Sequence, residues 1–129
     1  MLLRKYMSLL GIGSAKIDLI LEKESYRPGE PVHGYFFIQG GTIEQQVKRI
    51  ECDLVMLDQI SGVETIVDSA TILSGAKIES EEMNKINFSF QLPESVALTD
   101  ENTSYCFHTK LHFNEGVLSR DEDVIKIIH

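Results

Sequence analysis

A proline–glycine turn that runs directly into a strand limits the fold of this chain more than any other segment. Pro28 fixes φ near the value for the second position of a type II turn, and Gly29 accepts the positive φ of the third position. Pro31 stands at a strand start, where a missing N–H does little harm, and residues 32–38 continue as the strand. We interpret the segment as the first hairpin of a β-sandwich, with a fold-defining turn made of Tyr26, Pro28, Gly29, Glu30 and Gly34.

Alternation of apolar and polar residues predicts further strands. In residues 85–92 every second residue is apolar, and Pro93 ends the pattern. The same period of two runs through residues 45–58 and 105–113, and it directs Cys52 toward the core. Roughly eight short strands with turn signals between them predict an all-β fold, an antiparallel two-sheet sandwich of the immunoglobulin-like type.

The weaker patterns give further strand boundaries. Strand one is expected over residues 16–24, and two weaker strands over residues 63–68 and 70–78. Residues 114–123 are predicted as a loop, followed by a last strand over residues 124–128. The acidic side chains at the end of that loop are then expected to be solvated turn residues.

The first residues differ from the rest of the chain. Apolar residues recur at helical spacing within residues 1–10, which predicts a short amphipathic helix. Two basic residues give this helix too little charge for a membrane binder, so we expect it to cap the sandwich. With 129 residues and 43% hydrophobic content, the chain suits one sizeable core. The predicted organisation is a helix and glycine-rich connector over residues 1–15 and a single sandwich domain over residues 16–129.

Charge and cysteine content exclude several classes of protein. The formal net charge is −8, and such a surface repels the phosphates of nucleic acid. No apolar run approaches the roughly 20 residues that span a bilayer, and no secretory signal is evident. We therefore expect a cytoplasmic protein with no stable membrane insertion. In that compartment Cys52 and Cys106 are expected to be two unbridged thiols.

The predicted strand over residues 105–113 carries two histidines that invite a test for metal binding. His108 and His112 share one face, but on a strand they are about 13 Å apart at roughly 3.3 Å per residue. One ion cannot bridge that distance without other ligands. Asp121 and Asp123 lack the twelve-residue calcium-loop pattern. The sequence therefore predicts no metal site.

No arrangement of residues indicates catalysis either. No serine or cysteine nucleophile stands in a recognisable elbow or beside a base, and no cofactor motif is present. We expect no enzyme activity and no cofactor. The candidate interaction face consists of His108, Lys110 and His112, and Cys106 beside them is a thiol that also points outward.

Several segments, in order and spacing, resemble one known family. The opening from residue 16 through the turn is similar to that of arrestin-type domains. The pieces that resemble the bacterial sporulation-control family are Gly11-Ile12-Gly13-Ser14-Ala15-Lys16, Gly40-Gly41 followed by Glu44-Gln45, Phe88-x-Phe90-x-Leu92-Pro93 and Asp121-Glu122-Asp123-Val124-Ile125. The likeness covers nearly the whole chain.

The resemblance implies an arrestin-like sandwich that binds other proteins in a bacterial cytoplasm and helps to regulate sporulation or a related change of cell state. Fuller members of the family resemble two sandwiches in tandem, whereas this chain ends after one. The main hypothesis is a non-catalytic regulatory module whose protein partner is unknown and which adds a partner strand to a sheet edge. The alternative is a self-associating structural sandwich, whose homodimer replaces the second half.

Overall fold

The structure is a computed structural model that describes residues 15–75, 77–114 and 116–129. The predicted short helix over residues 1–10 and most of its connector lie outside the described residues. All regular structure within the described ranges is strand or turn, as expected for an all-β protein. Those residues contain no helix that is long and apolar enough to cross a membrane.

The described residues form nine strands in two sheets. In chain order the strands are β1 (Lys16–Leu21), β2 (Ser25–Tyr26), β3 (Pro31–Gln39), β4 (Gln45–Asp58), β5 (Glu64–Leu73), β6 (Lys77–Ile78), β7 (Met83–Gln91), β8 (Thr103–Phe113) and β9 (Gly116–Ile127). The smaller sheet has the order β1-β3-β7. The larger sheet has the order β2-β9-β8-β4-β5, with β6 beside the start of β4.

The pairing is antiparallel except at one place, where β2 runs parallel to β9 and Tyr26 lies opposite Ile127. The predicted antiparallel arrangement therefore holds for every strand pair of the described residues except this short one. The parallel pair forms because the chain leaves β1 and adds two residues to the edge of the other sheet before it returns as β3.

The core lies between the two sheets and contains the apolar faces that the period of two predicts. Phe88 and Phe90 of β7 face Phe107 of β8, with ring centroids 5.7 and 5.2 Å apart and the rings edge to face. Edge-to-face pairs of this kind are favourable beyond the area that they bury, by roughly 0.5–1.5 kcal/mol each. Cys52 is buried in the same core, as predicted.

The opening turn over residues 27–30 has type II geometry. The Glu30 N–H donates to the Arg27 carbonyl over 3.0 Å, and Gly29 has φ of +79°, so the turn is type II. The Tyr26 ring is buried, and its hydroxyl donates to the Lys23 carbonyl over 2.9 Å. The Glu30 carboxylate accepts the Arg27 N–H over 2.9 Å. The turn thus ties the connection after β1 to the core.

Three predicted boundaries are corrected. Strand one ends at Leu21 instead of residue 24, because residues 25 and 26 join the other sheet. The two weaker strands are one long strand, β5, followed by the short β6. The predicted loop over residues 114–123 is mostly strand, since β9 begins at Gly116 and pairs with β8 along its length. The polar composition of β9 suggested a loop, but its polar side chains serve the edge of the opposite sheet.

Substitution of Gly34 by alanine tests the close approach of β3 to β1. A Cβ at this position would lie 2.2 Å from the Ile20 carbonyl oxygen, a backbone atom that cannot rotate away. We expect Gly34→Ala to lower the free energy of unfolding by about 2 kcal/mol or more, since overpacking costs roughly 1–3 kcal/mol. Urea unfolding followed by circular dichroism measures the change.

Gly75→Ala is the matched control for this experiment, because a Cβ there meets no atom within 4 Å. Equal midpoints for the two variants would contradict the proposed backbone clash at Gly34.

Candidate interaction surface

The predicted interaction residues lie on the side of the larger sheet that faces away from the core, which we name the outer face. His108 and Lys110 are half-buried there, whereas His112 is 8% exposed. The register places His108 between Asp53 of β4 and Glu122 of β9. The outer face comprises Arg49, Glu51, Asp53, Val55, Cys106, His108, Lys110, His112, Arg120, Glu122 and Val124.

His112 is engaged within its own sheet. Its Nε2 lies 3.0 Å from Oε2 of Glu51, and Nε of Arg49 donates to the other carboxylate oxygen of Glu51 over 2.8 Å. The hydrogen bond from Arg49, followed by that from His112, lowers the pKa of Glu51. The contacts with Arg49 and His112 therefore hold the Glu51 carboxylate beside the imidazole, which is only 8% exposed. A binding role for His108, Lys110 and His112 remains a prediction.

Beside His108, a group of potential metal ligands has formed on the outer face. One ligand atom each from Cys106, His108 and Glu122 lies within 4.8 Å of the other two. His108 Nε2 is 3.9 Å from Oε1 of Glu122. Burial, followed by the charge of Glu122, raises the pKa of Cys106 to about 11, so the metal-free thiol is neutral at pH 7.

A shallow cavity of about 220 Å³ adjoins this group. Val55 and Leu57 of β4 and Val124 of β9 supply apolar walls, and Glu64 of β5 lies at its rim. Val124 is 71% exposed and, across the sheet, Ile66 of β5 is 60% exposed. This end of the outer face is therefore apolar, whereas the row through Lys110 is charged.

The outer edge of the larger sheet is formed by β5, which has ten residues and no neighbouring strand on its outer side among the described residues. The Ser74 N–H donates to the Lys48 carbonyl of β4 over 3.2 Å. Backbone direction alternates along an antiparallel strand, so the N–H groups of Thr71 and Leu73 point away from β4. Leu73 is 79% exposed. This edge offers both hydrogen-bonding groups and apolar side chains.

The edge formed by β1, in contrast, is closed by side chains of the other sheet. The N–H of Ile17 donates to Ser119 Oγ over 3.0 Å, and the N–H of Leu19 donates to Asp121 Oδ2 over 2.8 Å. The N–H of Ala15 donates to Gln45 Oε1 over 2.8 Å. Because these N–H groups are already occupied, β1 is a poor template for a partner strand.

Three carboxylates meet beside this closed edge. One oxygen each from Asp18, Asp121 and Asp123 lies within 4.8 Å of the other two. Burial, followed by a hydrogen bond and charge from Asp121, raises the pKa of Asp123 to about 8. Asp123 is therefore largely protonated at neutral pH. The sequence interpretation of Asp121 and Asp123 as solvated loop residues is wrong, because both lie in β9.

The sequence did not predict that Glu122 lies beside His108 or that Asp18 lies beside Asp121 and Asp123. The sequence pattern does not fix how the strands that carry these residues are paired. A signal was nevertheless present, because Ser119, Asp121 and Asp123 are spaced two apart, as residues on one face of a strand must be.

Replacement of Asp123 by asparagine tests whether the Asp123 carboxyl group is protonated in the folded state at neutral pH. The folded pKa of about 8 lies above the ordinary 3.8, so the folded state binds the proton more tightly. The contribution of Asp123 to the free energy of unfolding then falls as pH rises from about 4 to about 8. We expect Asp123→Asn to be more stable than the unmodified chain at pH 8, with the difference shrinking toward pH 4.

Chemical denaturation across this pH range measures the effect. Glu101→Gln, which removes an exposed carboxylate before β8, is the control for net charge. A difference between Asp123→Asn and the unmodified chain that stays constant with pH would argue against the raised pKa.

Comparison with known proteins identifies relatives of the chain. A family model described as SpoOM protein matches residues 3–129. The sporulation-control protein spo0M of Bacillus subtilis (strain 168) is 30% identical over 128 residues, which cover 95% of this chain and 50% of that protein. The chain thus spans about half the length of this relative.

Solved structures show the same fold. The crystal structure of the Bacillus subtilis protein superposes with a TM-score of 0.82 and 28% identity, over 92% of this chain and 51% of that one. A Niemann-Pick type C2 protein from the Japanese carpenter ant gives a TM-score of 0.59 at 11% identity, over 89% of this chain and 93% of that one. At such low identity this second likeness concerns the fold alone.

Proposed function

Because the chain belongs to the SpoOM protein family, we propose that it is a regulatory, non-catalytic module that binds a protein partner in the control of sporulation or a related change of cell state. The proposal includes an arrestin-like arrangement of the sandwich and a cytoplasmic setting. It concerns the half of the Bacillus subtilis relative that this chain spans.

The edge of β5 is the observation that carries the proposal. Its ten residues end the larger sheet, with Ile66 60% exposed near one end and Leu73 79% exposed at the other. An extended segment of a partner would extend the sheet through main-chain hydrogen bonds, and its side chains would contact these apolar groups.

The charge of the edge indicates the chemistry of the partner. Glu64 and Asp68 lie in β5, which contains no lysine or arginine, and the whole chain has a net charge of −8. We therefore propose that the occupant is an extended protein segment with basic side chains. A second copy of this chain would carry the same negative charge, which opposes edge-to-edge pairing of two copies.

The other edges support the choice of β5. The outer N–H groups of β1 at Ile17 and Leu19 are bonded to side chains. Along β7, exposed Lys85 and Ser89 belong to a largely polar outer row, and Nζ of Lys85 lies 4.3 Å from the centre of the Tyr35 ring. Polar and charged residues of this kind protect an edge from pairing.

Thr71→Pro tests the proposed edge, because proline removes one outward N–H and places a ring at the contact. Proline is tolerated on edge strands, so we expect the variant to fold. The chain, immobilised and exposed to lysate of a sporulating bacterium, should retain a partner that Thr71→Pro binds about tenfold less well, given the lost hydrogen bond and the added ring. Hydrogen exchange of the recovered complex should show protection of β5 amides.

Ser89→Pro is the matched control, since the Ser89 side chain is exposed on β7 and the alternation of that strand also points its N–H away from the sheet. Equal retention of the partner by both variants would refute binding at β5. Light scattering of the same variants addresses the alternative function: a dimer that Thr71→Pro converts to monomer would assign the edge to a second copy.

A further inference from the structure

We propose that Cys106, His108 and Glu122 form a binding site for a divalent transition-metal ion of the Zn²⁺ type. Cys106 and His108 are two residues apart on β8, so both side chains lie on the outer face. Glu122 is the β9 residue directly opposite His108. The register of β8 against β9 therefore fixes the relative positions of the three ligand residues.

The distances suit a small tetrahedral ion. The sulfur, nitrogen and oxygen ligand atoms lie within 4.8 Å of one another. Bonds of about 2.0–2.3 Å to Zn²⁺ place tetrahedral ligands about 3.3–3.8 Å apart. Small side-chain rotations can bring the three ligand atoms to these distances. The separation of about 13 Å between His108 and His112 along one strand is too large for such rotations.

The donor set favours Zn²⁺ over calcium or magnesium. A thiolate and an imidazole are ligands for zinc and related transition metals, whereas calcium and magnesium prefer oxygen alone. Binding would release the proton of the Cys106 thiol, because the metal ligand is the thiolate. Three protein ligands leave a fourth position for water.

A cavity beside the three ligands provides room for a bound ion. The cavity of about 220 Å³ beside Cys106 and His108 has space for an ion and a water molecule. Val55, Leu57 and Val124 form its apolar walls, which weaken competition from bulk water. The other thiol of the chain, Cys52, is buried in the core and accepts a hydrogen bond from Thr109, so it does not compete for the ion.

The experiment uses the full chain, stripped with a chelator and dialysed, and titrated with zinc chloride by calorimetry. We expect one Zn²⁺ per chain. Cys106→Ser, His108→Ala and Glu122→Gln should each weaken binding by at least about tenfold, since each removes one ligand. His33→Ala, which removes an exposed strand histidine away from the site, should bind like the unmodified chain.

Cobalt substitution gives an independent readout. Co²⁺ bound by Cys106 should show a thiolate charge-transfer absorption that is absent from Cys106→Ser. Added Zn²⁺ should also raise the midpoint of thermal unfolding of the unmodified chain and leave that of Cys106→Ser unchanged, because only the folded site binds the ion.

Three results would overturn the proposal. These are no heat of binding up to 100-fold excess Zn²⁺, binding that survives in Cys106→Ser and His108→Ala, or a ratio of one ion per two chains. The last result would place the ion between two copies instead of within one strand pair.

Discussion

The hydrogen bonds that backbone N–H groups of β1 donate to side chains of β9 are the interaction on which the rest of the structure depends. Ser119 and Asp121 accept the N–H groups of Ile17 and Leu19, and in doing so they join the edge of the smaller sheet to the larger one. One side of the sandwich is thereby closed without a shared strand. These two outward N–H groups of β1 are satisfied, which makes the edge a poor template for another chain.

The same contacts explain why a polar segment is a strand. Residues 119–124 bury little apolar surface, but one row of their side chains serves β1 and the other row lies on the outer face. The first row brings Asp121 and Asp123 beside Asp18, where burial, followed by the hydrogen bond and charge of Asp121, raises the pKa of Asp123. The second row brings Glu122 opposite His108. Both groups are consequences of one register.

The opposite side of the sandwich is built differently. In the described part of the chain β5 has no neighbouring strand on its outer side, and its inward residues Val67 and Ile72 are only partly buried against the core. The edge at β1 is occupied by side chains of the larger sheet, whereas the edge at β5 is accessible and carries exposed apolar side chains. Family membership and this asymmetry are the two observations on which the proposed binding at that edge rests.

The sequence by itself determined most of the strands, because alternation and turn chemistry are local properties. The type II turn at Pro28 and Gly29, the strand Gln45–Asp58 and the outward direction of Cys106 and His108 could all be predicted. Only the tertiary structure decided the extent of β9, the sheet to which residues 25 and 26 belong, and the partners of His108. Alternation of apolar and polar residues indicates which residues share a face of a strand, but it does not indicate which strand lies beside it. The ligands of a site and the satisfaction of an edge depend on that long-range pairing.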